Sequence, residues 1–207
     1  MNALVHTINS FARKVPTWAI YILLTLPAAF LVFQLVSGGL GVDPAKRFEH
    51  ETGELSLKLI ILGLAITPLR KYLKLNVLKF RRAVGVMSFV YVAVHLCAWV
   101  LIDMNLRWAQ MYGDIWKRPY ITIGMVAFVL MVPLAVTSNN VSLRKMGASA
   151  WRKLHKLVYP IAVLGGVHYI MVQKVWETEP MVYLAVILAL LATRIKWASR
   201  GRTAPSV

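Results

Sequence analysis

Two histidines lie deep within apolar stretches of the sequence, in the segments VYVAVHLCAWV and AVLGGVHYI. His95 follows Arg82 by thirteen residues, and His168 follows Lys156 by twelve. In helices, these separations place both imidazoles roughly 18 to 20 Å from the charged ends. Ionisable side chains at membrane depth are costly and usually mark function. Two neutral imidazoles on separate helices can provide both axial ligands of a b-type haem, and we predict this role for His95 and His168.

A zinc site fits these histidines less well, because zinc usually has three or four protein ligands and no carboxylate is near. The sequence has no Cys-x-x-Cys-His motif, so a haem here is expected to bind without covalent attachment. Small residues and one tyrosine precede the two histidines. They either make room for a porphyrin or let helices approach closely, and we count Tyr91 among the candidate cofactor-binding residues. These positions are Ser88, Tyr91, Ala162, Gly165 and Gly166.

Six apolar segments must position the histidines. The chain is 58% hydrophobic with a mean hydropathy of +0.62, and a spanning helix needs about 20 apolar residues. Prolines inside spans are tolerated in a bundle, and we interpret the first segment as an uncleaved span rather than a signal peptide. We therefore predict an all-α integral membrane protein, a bundle of six transmembrane helices. The predicted spans are 16–36, 55–69, 83–102, 120–137, 154–172 and 181–195.

The charges sort cleanly between the two sides of this bundle. The N-terminus, the connections before the third and fifth spans, and the C-terminal tail hold 17 of the 24 Lys and Arg residues and no acid. Excess Lys and Arg marks the cytoplasmic face. We therefore predict cytoplasmic termini and outer loops at 37–54, 103–119 and 173–180. We also predict three regions along the chain: a cytoplasmic segment at 1–15, the haem-binding bundle at 16–197, and a basic cytoplasmic tail at 198–207.

The net charge of +16 does not indicate nucleic-acid binding, because the basic residues follow the membrane sides and suit anionic lipid. No phosphate-binding loop is present, and no G-x-G-x-x-G follows a predicted strand. The longest connection has fewer than twenty residues, so the chain carries no nicotinamide-binding domain of its own. Its one cysteine, Cys97, is expected to be an apolar packing residue.

His50 falls in the first predicted outer loop, where a solvated histidine is the favoured interpretation. The alternatives are that HETGE begins the second span, with Thr52 or Glu54 near the helix start, and that His50 contacts a partner. His155 lies at the cytoplasmic edge of the fifth span. Its counterpart at equal depth on the third span would be near position 82, where no histidine occurs, so a second bis-histidine haem is not predicted. Two interpretations of this region stay open. In one, the basic residues nearby bind a flavin phosphate or haem propionates; in the other, His155 is an interfacial residue among basic neighbours. We keep His155 as a third candidate ligand. These basic residues are Arg81, Arg82, Arg152 and Lys153.

The chain resembles the MsrQ (YedZ) family of haem-binding membrane subunits, part of the wider ferric-reductase-like transmembrane group. The resemblance covers nearly the whole chain. The matching stretches are GGLGVDP with HETGE at 38–54, ITPLRKY at 66–72, RRAVGV followed by VHL at 81–96, RPYITIG at 118–124, and WRKLHKLVYP followed by VHY at 151–169.

The resemblance implies a bacterial inner-membrane protein that passes electrons through haem b to a periplasmic molybdopterin subunit, MsrP, which reduces methionine sulfoxide in oxidised proteins. It also implies the quinone pool or a cytoplasmic flavin reductase as donor, an associated FMN, and membrane histidines at His95, His155 and His168. The leading hypothesis is an electron carrier whose catalytic chemistry lies on its partner. The rivals are a free-standing ferric or quinone reductase, a transporter with intramembrane histidines, and a membrane assembly protein whose histidines are structural.

Overall fold

The computed structural model describes residues 2–173, 175 and 177–194. In these residues there are nine α-helices and no strand. Short 3₁₀ turns span Leu78–Phe80 and His155–Leu157, and a π-helical segment spans Trp99–Asp103. The helices are α1 (Asn2–Lys14), α2 (Thr17–Ser37), α3 (Pro44–Tyr72), α4 (Arg81–Ala98), α5 (Trp108–Lys117), α6 (Pro119–Val136), α7 (Asn140–Leu154), α8 (Val158–Val172) and α9 (Thr178–Ala192).

Five helical stretches are long and apolar enough to cross a membrane, and they contain α2, α3, α4, α6 and α8. The all-α membrane class predicted from the sequence is therefore confirmed. The sixth apolar helix, α9, has 15 residues and rises about 22 Å, less than the roughly 30 Å hydrocarbon core. Six spans thus remain a prediction, and Ile195 and the predicted tail at 198–207 lie outside the described residues.

Helix α3 begins eleven residues before the predicted second span, at Pro44 rather than Leu55. The side chain of Asp43 accepts a hydrogen bond from the Lys46 amide at 3.2 Å, and Pro44 occupies the first helical turn, where its missing N–H costs nothing. The predicted outer loop 37–54 was therefore too long. The first turns of α3 are polar and precede the apolar segment, so hydropathy did not indicate that they are helical.

Two further helices lie within predicted connections. Helix α5 buries Met111 and Asp114 and exposes aromatic side chains on its other face. Helix α7 changes direction at Gly147, whose φ of 76° and ψ of 153° suit only glycine. Both helices are amphipathic, so they lack the continuous apolar stretch from which the spans were predicted.

The spans pack around one central core, with α3 against α4 and α8 against both α6 and α9. Leu57 and Leu64 of α3, Met131 of α6, Ile161 of α8 and Ile187 of α9 meet there. Helix α2 joins the bundle mainly through α4. This arrangement brings the C-terminal parts of α4 and α8, which carry the two apolar-segment histidines, to the wall of one cavity.

Helix α1 is attached to the bundle by side-chain hydrogen bonds. The Asn9 amide donates to the Lys74 carbonyl at 3.0 Å, and its oxygen accepts from the Asn76 amide at 2.7 Å. The Lys79 ammonium donates to the carbonyls of Arg13 and Val15. These contacts fix α1 to the connection between α3 and α4.

Candidate functional site

The structure brings the imidazoles of His95 and His168 together. Their ring centres are 6.2 Å apart, and the ring planes lie at 87° to each other. The Nδ1–H of His95 donates to the Glu49 carbonyl at 2.9 Å, and that of His168 donates to the Tyr120 carbonyl at 2.7 Å. A carbonyl oxygen only accepts, so each neutral ring carries its proton on Nδ1 and keeps the Nε2 lone pair for a metal.

The spacing of the rings fits two ligands on opposite sides of one metal ion. A metal–imidazole bond is about 2 Å long, so rings on opposite sides of one ion have centres about 6 Å apart. The hydrogen bonds from Nδ1 to backbone carbonyls also fix ring orientation, as outer partners of ligating histidines commonly do. The arrangement therefore fits the bis-histidine coordination of a haem.

Glycine allows each ring its position. A Cβ atom on Gly53 would lie 2.9 Å from Nδ1 of His95, and one on Gly124 would lie 2.9 Å from Nδ1 and Cε1 of His168. Such distances are too short for any side chain to be tolerated without movement of the ring. These two glycines could not be identified from the sequence alone, because each contact joins helices that are far apart in the chain.

A cavity of about 450 Å³ includes both histidines in its wall. This volume is within the usual range for cofactor and ligand sites. Much of the wall is apolar, as an aromatic macrocycle requires, and it includes Leu57, Val92, Leu96, Phe128 and Ile161. Gly165 also lines the cavity, whereas Gly166 packs against Leu184 of α9.

His50 is helical and lines this cavity, so the interpretation of His50 as a solvated loop residue was wrong. Its ring lies edge-on to that of Tyr169, with centres 6.5 Å apart. Five cavity-lining residues of α3 follow the i, i+3, i+4, i+7, i+11 spacing of one helix face: Lys46, Glu49, His50, Gly53 and Leu57. The cap at Asp43-Pro44 and this spacing are the sequence signals that could have identified α3 as a wall of the site.

Tyr91 lies elsewhere. Its side chain is 1% exposed, and it is not among the cavity-lining residues. Its hydroxyl donates to the Leu24 carbonyl at 2.7 Å and accepts from the Ala28 amide at 3.0 Å. In a regular helix the Ala28 amide would donate to the Leu24 carbonyl. Here the Tyr91 hydroxyl lies between these two groups, in the turn of α2 that contains Pro27.

The candidate residues that were predicted to lie at the cytoplasmic face form a separate group. Nε2 of His155 lies 3.1 Å from the Thr137 hydroxyl, and the His155 ring stacks on Trp151 with centres 3.8 Å apart. Arg81 and Arg82 lie near enough to act electrostatically on His155, and Arg82 donates to Asn140 at 2.7 Å. The remaining two, Arg152 and Lys153, are exposed at the end of α7.

Within the described part of the chain, no group of three or more His, Cys, Asp or Glu side chains is arranged to bind a bare metal ion. The paired histidines therefore stand as a two-ligand site. This donor set is appropriate for an iron whose other four ligands come from a macrocycle.

The family described as "Ferric reductase like transmembrane component" matches residues 52–166, which include both His95 and Gly124. Proteins named "Protein-methionine-sulfoxide reductase heme-binding subunit MsrQ" are similar over 86% of this chain. The protein from Caulobacter vibrioides is 46% identical with 84% of its length covered, that from Brucella anthropi 42% with 80%, and that from Agrobacterium fabrum 38% with 82%. No solved structure matches.

The fold and these matches define a multi-pass membrane protein of the ferric-reductase-like transmembrane class. Within that class the chain belongs to the MsrQ family.

Proposed function

We propose that this protein carries electrons across the bacterial inner membrane through a haem b and delivers them to a methionine sulfoxide reductase. The observation that carries the proposal is the pair of imidazoles, 6.2 Å apart, with both Nε2 atoms left available. The relatives' printed name, a heme-binding subunit of such a reductase, supports the same function. His95 and His168 would hold the haem within the apolar cavity, and the haem would supply reversible one-electron chemistry.

Absorption spectroscopy of the purified protein tests the haem assignment. Wild-type protein produced with adequate haem is expected to show a low-spin b-type spectrum, and His95→Ala and His168→Ala should each lose most of it because one axial ligand is gone. His6→Ala is the matched control, since His6 is an exposed residue of α1. A colourless wild-type protein would contradict the proposal.

The partner in this proposal is a periplasmic, molybdopterin-containing MsrP-like subunit. Its support is the relatives' name and the acidic residues of the outer connections. When the reduced protein is mixed with that subunit and methionine sulfoxide, its haem should be reoxidised, and the absorption band of the reduced haem should disappear. A free-standing ferric or quinone reductase is the second candidate, supported by the family description. Reoxidation by ferric chelate or quinone alone, at equal rates without the subunit, would favour this second function.

The donor side is proposed to be cytoplasmic, with electrons coming from the quinone pool or a flavin reductase. The basic group of Arg81, Arg82, Arg152 and Lys153 beside His155 is a candidate site for FMN phosphate or another anionic cofactor group. Release and quantification of flavin from wild-type protein, and from a variant with the four residues changed to Gln, tests this. Equal flavin content in both, or none in either, would count against the flavin site.

A further inference from the structure

The cavity between His95 and His168 changes character toward its outer mouth. Most of its wall is apolar, but six charged residues also line it, among them the acids Asp43, Glu49, Glu54 and Asp103. Two of these are cations, Lys46 in the first turns of α3 and Arg118 immediately before α6. Other cations, such as Arg47 and Lys117, also lie toward this end, which carries all eight acids of the sequence, but among the described residues Lys46 and Arg118 are the two cations that line the cavity.

Each cation lies close to the backbone group that holds one of the histidines. Lys46 precedes Glu49, whose carbonyl accepts from His95, by three residues of the same helix, about 4.5 Å along its axis. Arg118 precedes Tyr120, whose carbonyl accepts from His168, by two residues. The two cations, Lys46 in α3 and Arg118 just before α6, therefore lie on the outward side of the carbonyl groups that hold the two histidines.

Arg118 is held by its neighbours with donors to spare. Its Nε lies 3.4 Å from the Asp114 carboxylate, which is nearly buried, and its Nη1 donates to the Tyr120 hydroxyl at 3.1 Å. A guanidinium has five N–H donors, so this arrangement orients the group and leaves others for an anion.

Lys46 differs from its neighbour Arg47. The Arg47 guanidinium pairs with Glu51 at 2.9 Å and is not part of the cavity wall. Lys46 lines the cavity, and its ammonium makes no ion pair with the residues that the structure describes. Asp43, which also lies at the mouth, uses its side chain to cap α3.

From these contacts we propose that Lys46 and Arg118 bind the two carboxylates of the haem, so that it enters with its apolar edge inward and its propionates at the outer mouth. This inference rests on the haem assignment proposed above. Carboxylates are costly to bury in an apolar wall, whereas a lysine and an arginine at the mouth compensate them by charge-assisted hydrogen bonds. Lys46 and Arg118 thereby favour the haem orientation in which the propionates, rather than the apolar edge, lie at the mouth.

Haem dissociation from Lys46→Gln and Arg118→Gln tests this, with Arg47→Gln and Lys117→Gln as matched controls one residue away. Loss of one charge-assisted contact should raise the rate of haem transfer to an excess of apomyoglobin roughly tenfold or more, and the controls should match wild type. Glutamine keeps the chain polar and of similar length, and helicity measured by circular dichroism checks that each variant folds.

Haem dimethyl ester, which lacks the two negative charges, provides the second measurement. Wild-type protein should bind haem more tightly than its ester, and the Lys46→Gln/Arg118→Gln double variant should bind the two equally. Dissociation rates unchanged in both single variants, or the same preference for haem in the double variant as in wild type, would overturn the inference alone. Wild-type protein that binds no haem would overturn the proposed function as well.

Discussion

At the scale of single residues, Gly53 and Gly124 limit what the two histidine rings can do. Replacement of either by Ala places a methyl group 2.9 Å from ring atoms, so the ring must move from its carbonyl partner. Overpacking of this kind costs about 1–3 kcal/mol, and we expect Gly53→Ala and Gly124→Ala to retain several-fold less haem than wild type. Haem per protein, measured by pyridine haemochrome assay, checks this.

Gly63→Ala is the control within α3, since its Cβ would meet only a Val84 methyl at the ordinary distance of 3.7 Å. Gly85→Ala is the control within α4, where nothing lies within 4 Å. Equal haem content in all four variants would show that the rings have room to shift without losing their function.

Tyr91 has a structural effect that is separable from the cofactor. Tyr91→Phe removes the hydroxyl that joins the Leu24 carbonyl and the Ala28 amide, and both groups lose this partner unless α2 closes so that they pair with each other. The free energy of unfolding is expected to fall by about 1–3 kcal/mol, while the position of the haem band stays unchanged. Unfolding in a denaturing detergent measures it, and Tyr112→Phe on an exposed face of α5 is the control. A shifted haem band with unchanged stability would contradict this assignment.

At the same scale, the sequence predicted the histidines but not their surroundings. His95 and His168 could be selected because each is an ionisable residue in an apolar segment at a depth countable from the nearest charge. Gly53 and Gly124 could not, since a glycine in a membrane helix indicates close approach without indicating what approaches. Tyr91 was selected because it lies one turn before His95, whereas in the structure its side chain faces α2.

At the scale of helices, α1 is held against the connection between α3 and α4 by the side-chain hydrogen bonds of Asn9 and Lys79. Asn9 supplies two of them, to Lys74 and Asn76. Asn9→Ala should increase amide hydrogen exchange in α1 and at 74–76 by roughly three- to tenfold, because local opening follows the loss of one or two net hydrogen bonds. Mass spectrometry after deuterium exchange measures this, with Ser10→Ala as control. Unchanged hydrogen exchange in α1 would show that Lys79 and apolar packing hold this helix in place without Asn9.

Helix prediction succeeded where apolar segments were continuous and failed where helices were amphipathic. Spans such as α2 and α6 were placed to within a residue or two at each end. The polar start of α3, and all of α5 and α7, were assigned to connections because hydropathy was the signal used. The capping pair Asp43-Pro44 was visible in the sequence, whereas the turn at Gly147 depends on how α7 meets α8.

At the scale of the whole molecule, the charge sorting predicts the orientation in the membrane. Fusion of green fluorescent protein after Val207 should give fluorescent cells, and fusion of alkaline phosphatase there should be inactive, because both termini are predicted to be cytoplasmic. A phosphatase fusion at Gly41, between α2 and α3, should be active. An active phosphatase at the C-terminus would contradict the six-span topology and make α9 a helix that does not cross.

The angle of 87° between the ring planes of His95 and His168 has a magnetic consequence. Imidazoles bound in parallel planes interact with one iron d orbital more than with the other, whereas perpendicular imidazoles interact equally with both and keep them close in energy. Near-degenerate orbitals retain orbital angular momentum. The ferric protein is therefore expected to give a strongly anisotropic low-spin electron paramagnetic resonance signal, with one large g value in place of the rhombic signal of parallel rings.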